Sequence, residues 1–282
     1  MGTNNQDNTA SSRDSLPLRL ATAAVGIPIL AAAVWLGSIP LLLVTAAATF
    51  LGIWELRMLL RPMGHVVWPV SALLAGAFLF SASTDDASPA LIALTVIGGG
   101  TLGAALFAFR LRTWSGAQAW VATVIAAVYP AVFLAAGLLL REKPDGLAWL
   151  GYAILITFAS DTAAYAVGSL IGRHKLVPAI SPSKTWEGAI GGIIGAAVVS
   201  AAFAAFIDLD ALPLATAIAL GAGLSVLGQL GDLAESWLKR TAGVKDSGQL
   251  LPGHGGILDR LDSLLPILPA VLVYVTIVTT ME

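Results

Sequence analysis

The chain has 282 residues, of which 57% are hydrophobic and only 11% charged, whereas a soluble domain averages about a quarter charged. It carries no cysteine, which excludes disulfides, thiolate metal sites and cysteine nucleophiles. The net charge of −2 excludes little, because the placement of Lys and Arg, rather than their sum, orients a membrane protein.

Residues 1–17 are polar, rich in Asn, Ser and Thr, and read as a disordered cytoplasmic tail. From residue 18 onward, apolar runs approach or exceed the ~20 residues that cross a hydrocarbon core. The first run continues past Ala31-Ala32-Ala33, so it reads as a retained helix rather than a cleaved leader. Length and hydropathy predict helices over 18–36, 40–60, 66–83, 88–109, 117–140, 147–171, 187–207, 211–231 and 264–281. The expected fold is all-α: a polytopic membrane bundle of about nine transmembrane helices. It forms a single membrane-embedded domain over 18–282. The stretch 232–263 reads instead as a helical extension, a loop and a short helix around Asp259.

Among the 15 Lys and Arg residues, all but Arg141 and Lys143 fall on one side of such a bundle. The opposite loops hold Asp85, Asp86, Asp208 and Asp210. That bias places the N-terminus and segment 232–263 in the cytoplasm and predicts a protein of the cytoplasmic membrane.

Several glycine patterns are decoys. Gly98 to Gly103 matches G-x-G-x-x-G but lies inside an apolar run with no preceding strand, which argues against dinucleotide binding. No Walker A pattern occurs. The pairs Gly168/Gly172, Gly188/Gly192 and Gly191/Gly195 have the small-xxx-small spacing of close helix contacts. No long-period repeat is visible, which removes support for a repeat-built transporter.

Asp161, Glu187, Asp232 and Glu235 lie within or at the ends of apolar helices. Each would cost roughly 2.5–3.5 kcal/mol near a helix centre, tolerable only in a polar cavity, beside a cation or on a metal. Glu187 and Glu235 could equally face interfacial water, but Asp161, flanked by Ser160 and Thr162 deep in an apolar run, favours function. Asp232, Glu235, Ser236 and Lys239 follow an i, i+3, i+4, i+7 pattern and share one helical face. Asp259 and Asp262 repeat the i, i+3 spacing. Salt bridges on a surface helix would explain either cluster alone, but not the glycine-rich turn between them.

Segment 236–262 concentrates Lys239, Arg240, Lys245, Asp246, His254, Asp259, Arg260 and Asp262 around Gly253, Gly255 and Gly256. Clustered cations grip phosphates, paired carboxylates hold a bridging metal, and glycine amides approach an anion closely. A third cluster, Ser181 to Gly188, follows Arg173-His174-Lys175 and reads as a tight turn at a helix start. Ser183 or Thr185 could cap that helix, and Lys184 would add to the attraction of its amides for phosphate. These features point to phosphoryl or nucleotidyl transfer at a membrane.

The residues resemble those of the phosphatidate cytidylyltransferases, the CDP-diglyceride synthetases. The family pattern S-x-x-K-R-x4-K-D-x-G-x2-[hydrophobic]-P-x-H-G-G-x-x-D-R-x-D is met by Ser236, Lys239, Arg240, Lys245, Asp246, Gly248, Leu251, Pro252, His254, Gly255, Gly256, Asp259, Arg260 and Asp262. Segments 229–233 and 160–165 also look like family motifs. Ser181 to Gly188 resembles S-P-K-K-T-x-E-G, with Ser183 in place of a usual lysine, a contact that Lys175 could supply. The C-terminal half carries the likeness; the N-terminal half agrees only in hydropathy.

The resemblance implies conversion of CTP and phosphatidic acid to CDP-diacylglycerol and pyrophosphate, dependent on Mg2+, with membrane lipids rather than nucleic acid as partners and a homodimer as the assembly. It implies Asp232 and Asp259 as metal ligands, with Asp161 and Asp262 binding a second cation or orienting the first. Lys239, Arg240, Lys245, Asp246 and His254 fall to the triphosphate. Arg260, Lys184, Ser181, Thr185, Glu187, Ser236, Gly255 and Gly256 complete the substrate contacts. An ion-coupled secondary transporter would account for Asp161 and Glu187, but not for the Lys/Arg–glycine–Asp arrangement. The CDP-alcohol phosphotransferase pattern is missing, since Asp145-Gly146 runs into Leu147-Ala148-Trp149.

Overall fold

The computed structural model describes residues 24–83, 114–207, 209–248, 250 and 255–281. The 1–17 tail, the helix expected over 88–109 and His254 lie outside the described residues. In chain order the helices are α1 (Ala24–Leu36), α2 (Ser38–Leu59), α3 (Trp68–Ala82), α4 (Trp114–Arg141), α5 (Gly146–Ile171), α6 (Trp186–Phe206), α7 (Leu214–Thr241), α8 (Leu258–Leu261) and α9 (Leu264–Met281). Helices α2, α4, α5, α6 and α7 are long and apolar enough to cross a membrane, while α1, α3 and α9 are shorter apolar helices.

Between α5 and α6 stands a hairpin of two short antiparallel strands, β1 (Lys175–Val177) and β2 (Ser181–Thr185). It corrects the expectation of a tight turn and is the one departure from an all-α chain among the described residues. Lys175 pairs with Thr185 and Val177 with Ser181, with an irregularity between. Its base is tied to α6: the Trp186 amide donates to the His174 carbonyl at 2.9 Å. Glu187 accepts from the Arg173 and His174 amides and lies 2.6 Å from His174 Nδ1.

Local chemistry sets the helix ends near the site. Thr185 caps α6, its hydroxyl accepting the Gly188 amide at 3.1 Å, as one of the two anticipated caps. Helix α7 runs ten residues beyond the expected apolar boundary at 231, the anticipated extension. It stops at Gly243, whose φ of +72° suits glycine. There Gly243 N–H bonds the Arg240 carbonyl and Val244 N–H the Lys239 carbonyl, a double closure of the last turn. Lys239 and Arg240 thus project from the final turn of a continuous helix whose negative pole favours cations.

At the opposite end of α4, Arg141 donates to the carbonyls of Val34 and Trp35 at 3.1 Å each and closes the C-terminus of α1. Helices α5 and α6 approach through the glycines singled out above. A Cβ on Gly188 would stand 3.2 Å from Gly168 Cα, and one on Gly191 would meet Val167 Cβ at 2.6 Å. The largest buried side chains, including Leu56, Leu59, Trp149, Tyr152, Ile156, Leu224, Leu258 and Ile267, form a core between α2, α4, α5, α7, α8 and α9. Phe158, Leu170, Ile190, Ile194 and Phe206 stay exposed on α5 and α6, an apolar surface suited to lipid.

Candidate active site

Helix α7 presents Asp232, Glu235, Ser236 and Lys239 as one ladder. Ser236 Oγ donates to Asp232 Oδ1 at 3.3 Å, and Lys239 Nζ lies 3.3 Å from Glu235 Oε1. Short helix α8 brings Asp259 to the same lysine, with Oδ1 2.6 Å from Nζ. The other oxygen, Oδ2, accepts the Ser247 amide and hydroxyl and the Gly256 amide at 2.9–3.0 Å. Burial works against charge on Asp259, yet Lys239 and the two amides outweigh it and hold the carboxyl below its usual range.

Asp232 has a different partner. Its Oδ2 lies 2.6 Å from Nζ of Lys184, which β2 delivers across the cleft. The cleft has a volume of about 400 Å3 and is lined by Asp161, Tyr165, Ser183, Lys184, Gln229 and Asp232 among others. Ser263 joins two further acids, its hydroxyl reaching Asp161 Oδ1 at 3.4 Å and its amide Asp262 Oδ1 at 2.7 Å. Burial, and next the negative charge of Asp232, push the Asp262 carboxyl up to about 7.

Lys184 with Asp232 and Lys239 with Glu235 and Asp259 therefore form two ion-paired groups, linked through Asp262, whose carboxyl feels the charges of Asp232, Lys239 and Asp161. Glu235 is 4% exposed, with Lys239 as its ion-pair partner through Oε1. Carboxyl oxygens are the donor type that suits a hard divalent cation. Among the described residues no three acidic or histidine side chains converge as a ready-made metal cage. Of the two expected metal aspartates, Asp232 lines the cleft and Asp259 does not; an Mg2+ ion would need only one or two carboxylates, with water and substrate phosphates completing its shell. The residues fit the ion in donor type and charge.

The other sequence-derived candidates are placed as follows. Arg240 donates through Nε to the Ile180 carbonyl at 3.1 Å and through Nη1 to the Val244 carbonyl at 3.3 Å, joining the end of α7 to the hairpin turn. Lys245 and Asp246 are exposed just beyond α7, and Arg260 is exposed on α8. Gly256 is buried, with its amide committed to Asp259, and Gly255 takes φ +86°. Thr185 is buried as the α6 cap, and Ser181 opens β2. Glu187 is committed to the base of the hairpin and does not line the cleft.

One residue of this constellation was not anticipated. Glu55 on α2 is 2% exposed and accepts the Ile257 amide at 2.8 Å and the Leu258 amide at 3.0 Å, and it shares with Asp259 the single proton of the Ser247 hydroxyl, 2.8 Å away. Its signal was a lone acid inside an otherwise apolar helix, the same warning that singled out Asp161.

Comparison with known proteins bears on this arrangement directly. A model of the cytidylyltransferase family matches residues 17–278. The chain belongs to that family. A phosphatidate cytidylyltransferase of Staphylococcus haemolyticus (strain JCSC1435) is 51% identical over 131 residues, covering 45% of this chain and 48% of the relative. One of Staphylococcus aureus (strain COL) is 50% identical over 131 residues, covering 46% and 49% respectively. A third, of Staphylococcus saprophyticus, is 47% identical over 131 residues, or 46% of this chain and 50% of the relative. The chain spans about half the length of the curated relatives it matches. Membership of a cytidylyltransferase family gives no support to the transporter alternative.

Proposed function

We propose that this chain is an integral membrane CTP:phosphatidate cytidylyltransferase. The observation that carries the reading is that Asp161, Lys184 and Asp232, from α5, β2 and α7, line one 400 Å3 cleft, with Lys184 paired to Asp232 and Lys239 of the same α7 paired to Asp259 of α8, in a chain of the cytidylyltransferase family. A phosphate oxygen of phosphatidic acid attacks the α-phosphorus of CTP. The bond to the bridging oxygen breaks, and pyrophosphate leaves while CDP-diacylglycerol forms. The nucleophile needs no strong base, because a phosphate monoester has a second pKa near 6 and is largely dianionic at neutral pH.

The barrier is the approach of anion to anion, so charge neutralisation and positioning dominate catalysis. Asp232 and Asp259 would hold Mg2+, with Asp161 and Asp262 orienting it or holding a second cation. When bound, the ion supplies charge compensation along the triphosphate. Lys184 and Lys239, ion-paired with Asp232 and Asp259, would meet phosphate oxygens as substrate arrives. Arg240, Lys245 and His254 steady the leaving pyrophosphate, with Asp246 beside them. Arg260 and Lys184 hold the lipid phosphate. The acyl chains lie against the apolar face of α5 and α6, and the lipid enters sideways.

The single domain over 18–282, the count of about nine spans, the cytoplasmic N-terminus and active site, the plasma-membrane location and a homodimer belong to the same reading. The placement of the basic residues and the family resemblance support it. Incubating purified protein with phosphatidic acid, Mg2+ and each labelled nucleoside triphosphate, followed by lipid chromatography, tests it. CTP alone is expected to label the lipid, and Asp232→Asn and Asp259→Asn to abolish labelling while still inserting. An unlabelled lipid with the unaltered protein, or robust turnover in either variant, overturns the reading or its metal assignment respectively.

A further inference from the structure

Glu55 brings a buried carboxylate from the N-terminal half to the centre of the C-terminal signature, and its hydrogen-bond partners among the described residues, Ser247, Ile257 and Leu258, belong to the segment and short helix that carry Asp259. Ser247 is the link. Its hydroxyl faces Glu55 Oε2 at 2.8 Å and Asp259 Oδ2 at 2.9 Å, while its amide also donates to Asp259 Oδ2. On the other side, Glu55 takes the two amides that open α8, the helix in which Asp259 is the second residue. Two signature glycines answer to the same carboxylate. A Cβ on Gly248 would lie 2.7 Å from Glu55 Oε1, and one on Gly256 would lie 2.5 Å from Glu55 Oε2. Gly248 and Gly256 thus leave room for the Glu55 carboxylate, which a side chain at either position would meet.

We infer that Glu55 is a positioning residue for the transfer reaction, acting on Asp259 through Ser247 and the α8 amides. This rests on the cytidylyltransferase reading above. A buried carboxylate with three donors fixes its neighbours firmly, because each donor left unmatched would carry a desolvation penalty. Asp259 turns Oδ1 toward Lys239, and Glu55 supports that orientation by holding Ser247, whose hydroxyl and amide both meet Oδ2, and the two amides that open α8. Partners that orient a ligand in this way typically contribute about 10–100-fold in metal affinity or activity when removed.

The test uses full-length protein in detergent with Glu55→Gln, Glu55→Asp, Ser247→Ala and the double variant Glu55→Gln/Ser247→Ala. Turnover by the unaltered protein decides the underlying reading independently of any variant. Hydrogen exchange of peptides spanning 245–261 decides the positioning role even without turnover. Glu55→Gln is expected to speed exchange there and leave peptides of α5 and α6 unchanged. It should lower kcat about 10–100-fold and raise the Mg2+ concentration needed for half-maximal rate, with KM for CTP little altered. Ser247→Ala should do the same more weakly, the double variant should be no worse than Glu55→Gln, and Glu55→Asp should recover part of the loss. Unchanged exchange in 245–261, unaltered kcat in Glu55→Gln, or strictly additive losses would overturn the inference.

Discussion

Lys184 Nζ and Asp232 Oδ2 meet at 2.6 Å, so a lysine carried on a two-stranded hairpin neutralises an acid carried on a transmembrane helix. The pair is partly buried, with 23% and 31% of the respective side chains exposed. Both residues line the cleft with Asp161, and neither Asp161 nor Asp262 has a lysine of its own among the described ion pairs.

Removing that lysine isolates the acids. Lys184→Gln is expected to lower kcat/KM by roughly 10–100-fold, since a polar group committed to a charged partner is lost from the site. Steady-state rates with CTP and phosphatidic acid measure this. Because Lys184 and Asp232 form one ion pair, the losses in apparent Tm of Lys184→Gln and Asp232→Asn should not add in the double variant, and full additivity would separate the two residues.

The raised carboxyl of Asp262 makes cation-free stability depend on pH. Its folded-state value of about 7 lies above that of an unfolded carboxyl, so the native state binds the proton more tightly. Its contribution is therefore full below the ordinary carboxylate range and declines as pH rises toward 7. In chelator, the apparent Tm should fall between pH 4 and 7, and Asp262→Asn should flatten that slope. A bound divalent cation opposes the effect, so added Mg2+ should stabilise most at the upper end of the window.

Helix contact between α5 and α6 is limited by glycine. Placing a methyl group on Gly191 drives it against Val167, so Gly191→Ala should cost about 1–3 kcal/mol, the usual range for overpacking. Thermal unfolding in detergent, followed by intrinsic tryptophan emission, reads the loss. Gly151, with nothing near the same built atom, is the matched control and should tolerate alanine.

Orientation can be tested because the chain lacks cysteine. Single cysteines at Glu142 and Thr241, both exposed, should label from opposite sides of the membrane. In intact cells a membrane-impermeant maleimide is expected to modify Glu142→Cys and spare Thr241→Cys. The reverse pattern would invert the proposed topology.

The ladder on α7 was legible because side chains three and four apart share a helix face, and the helix continues through it to Thr241. The α5–α6 contacts were legible for a similar reason, since small residues four apart form a groove whatever the partner. The pairing of Lys184 with Asp232, or of Asp259 with Lys239, was not, because tertiary packing chooses among many cations and acids. Strands β1 and β2 escaped notice because three and five residues, one of them Pro182, show no clear alternation. Glu55 escaped for want of any local pattern: its partners lie 192–203 residues away in sequence.

In the proposed topology Arg141 sits opposite nearly every other cation in the chain, yet its guanidinium is already engaged with two peptide oxygens at the close of α1. Tallies of Lys and Arg by side assign it the same weight as a solvated lysine, although its work is to finish a neighbouring helix. Once that is recognised, the dissenting vote in the charge asymmetry shrinks to Lys143, and the lopsidedness of the protein is steeper than arithmetic alone suggests.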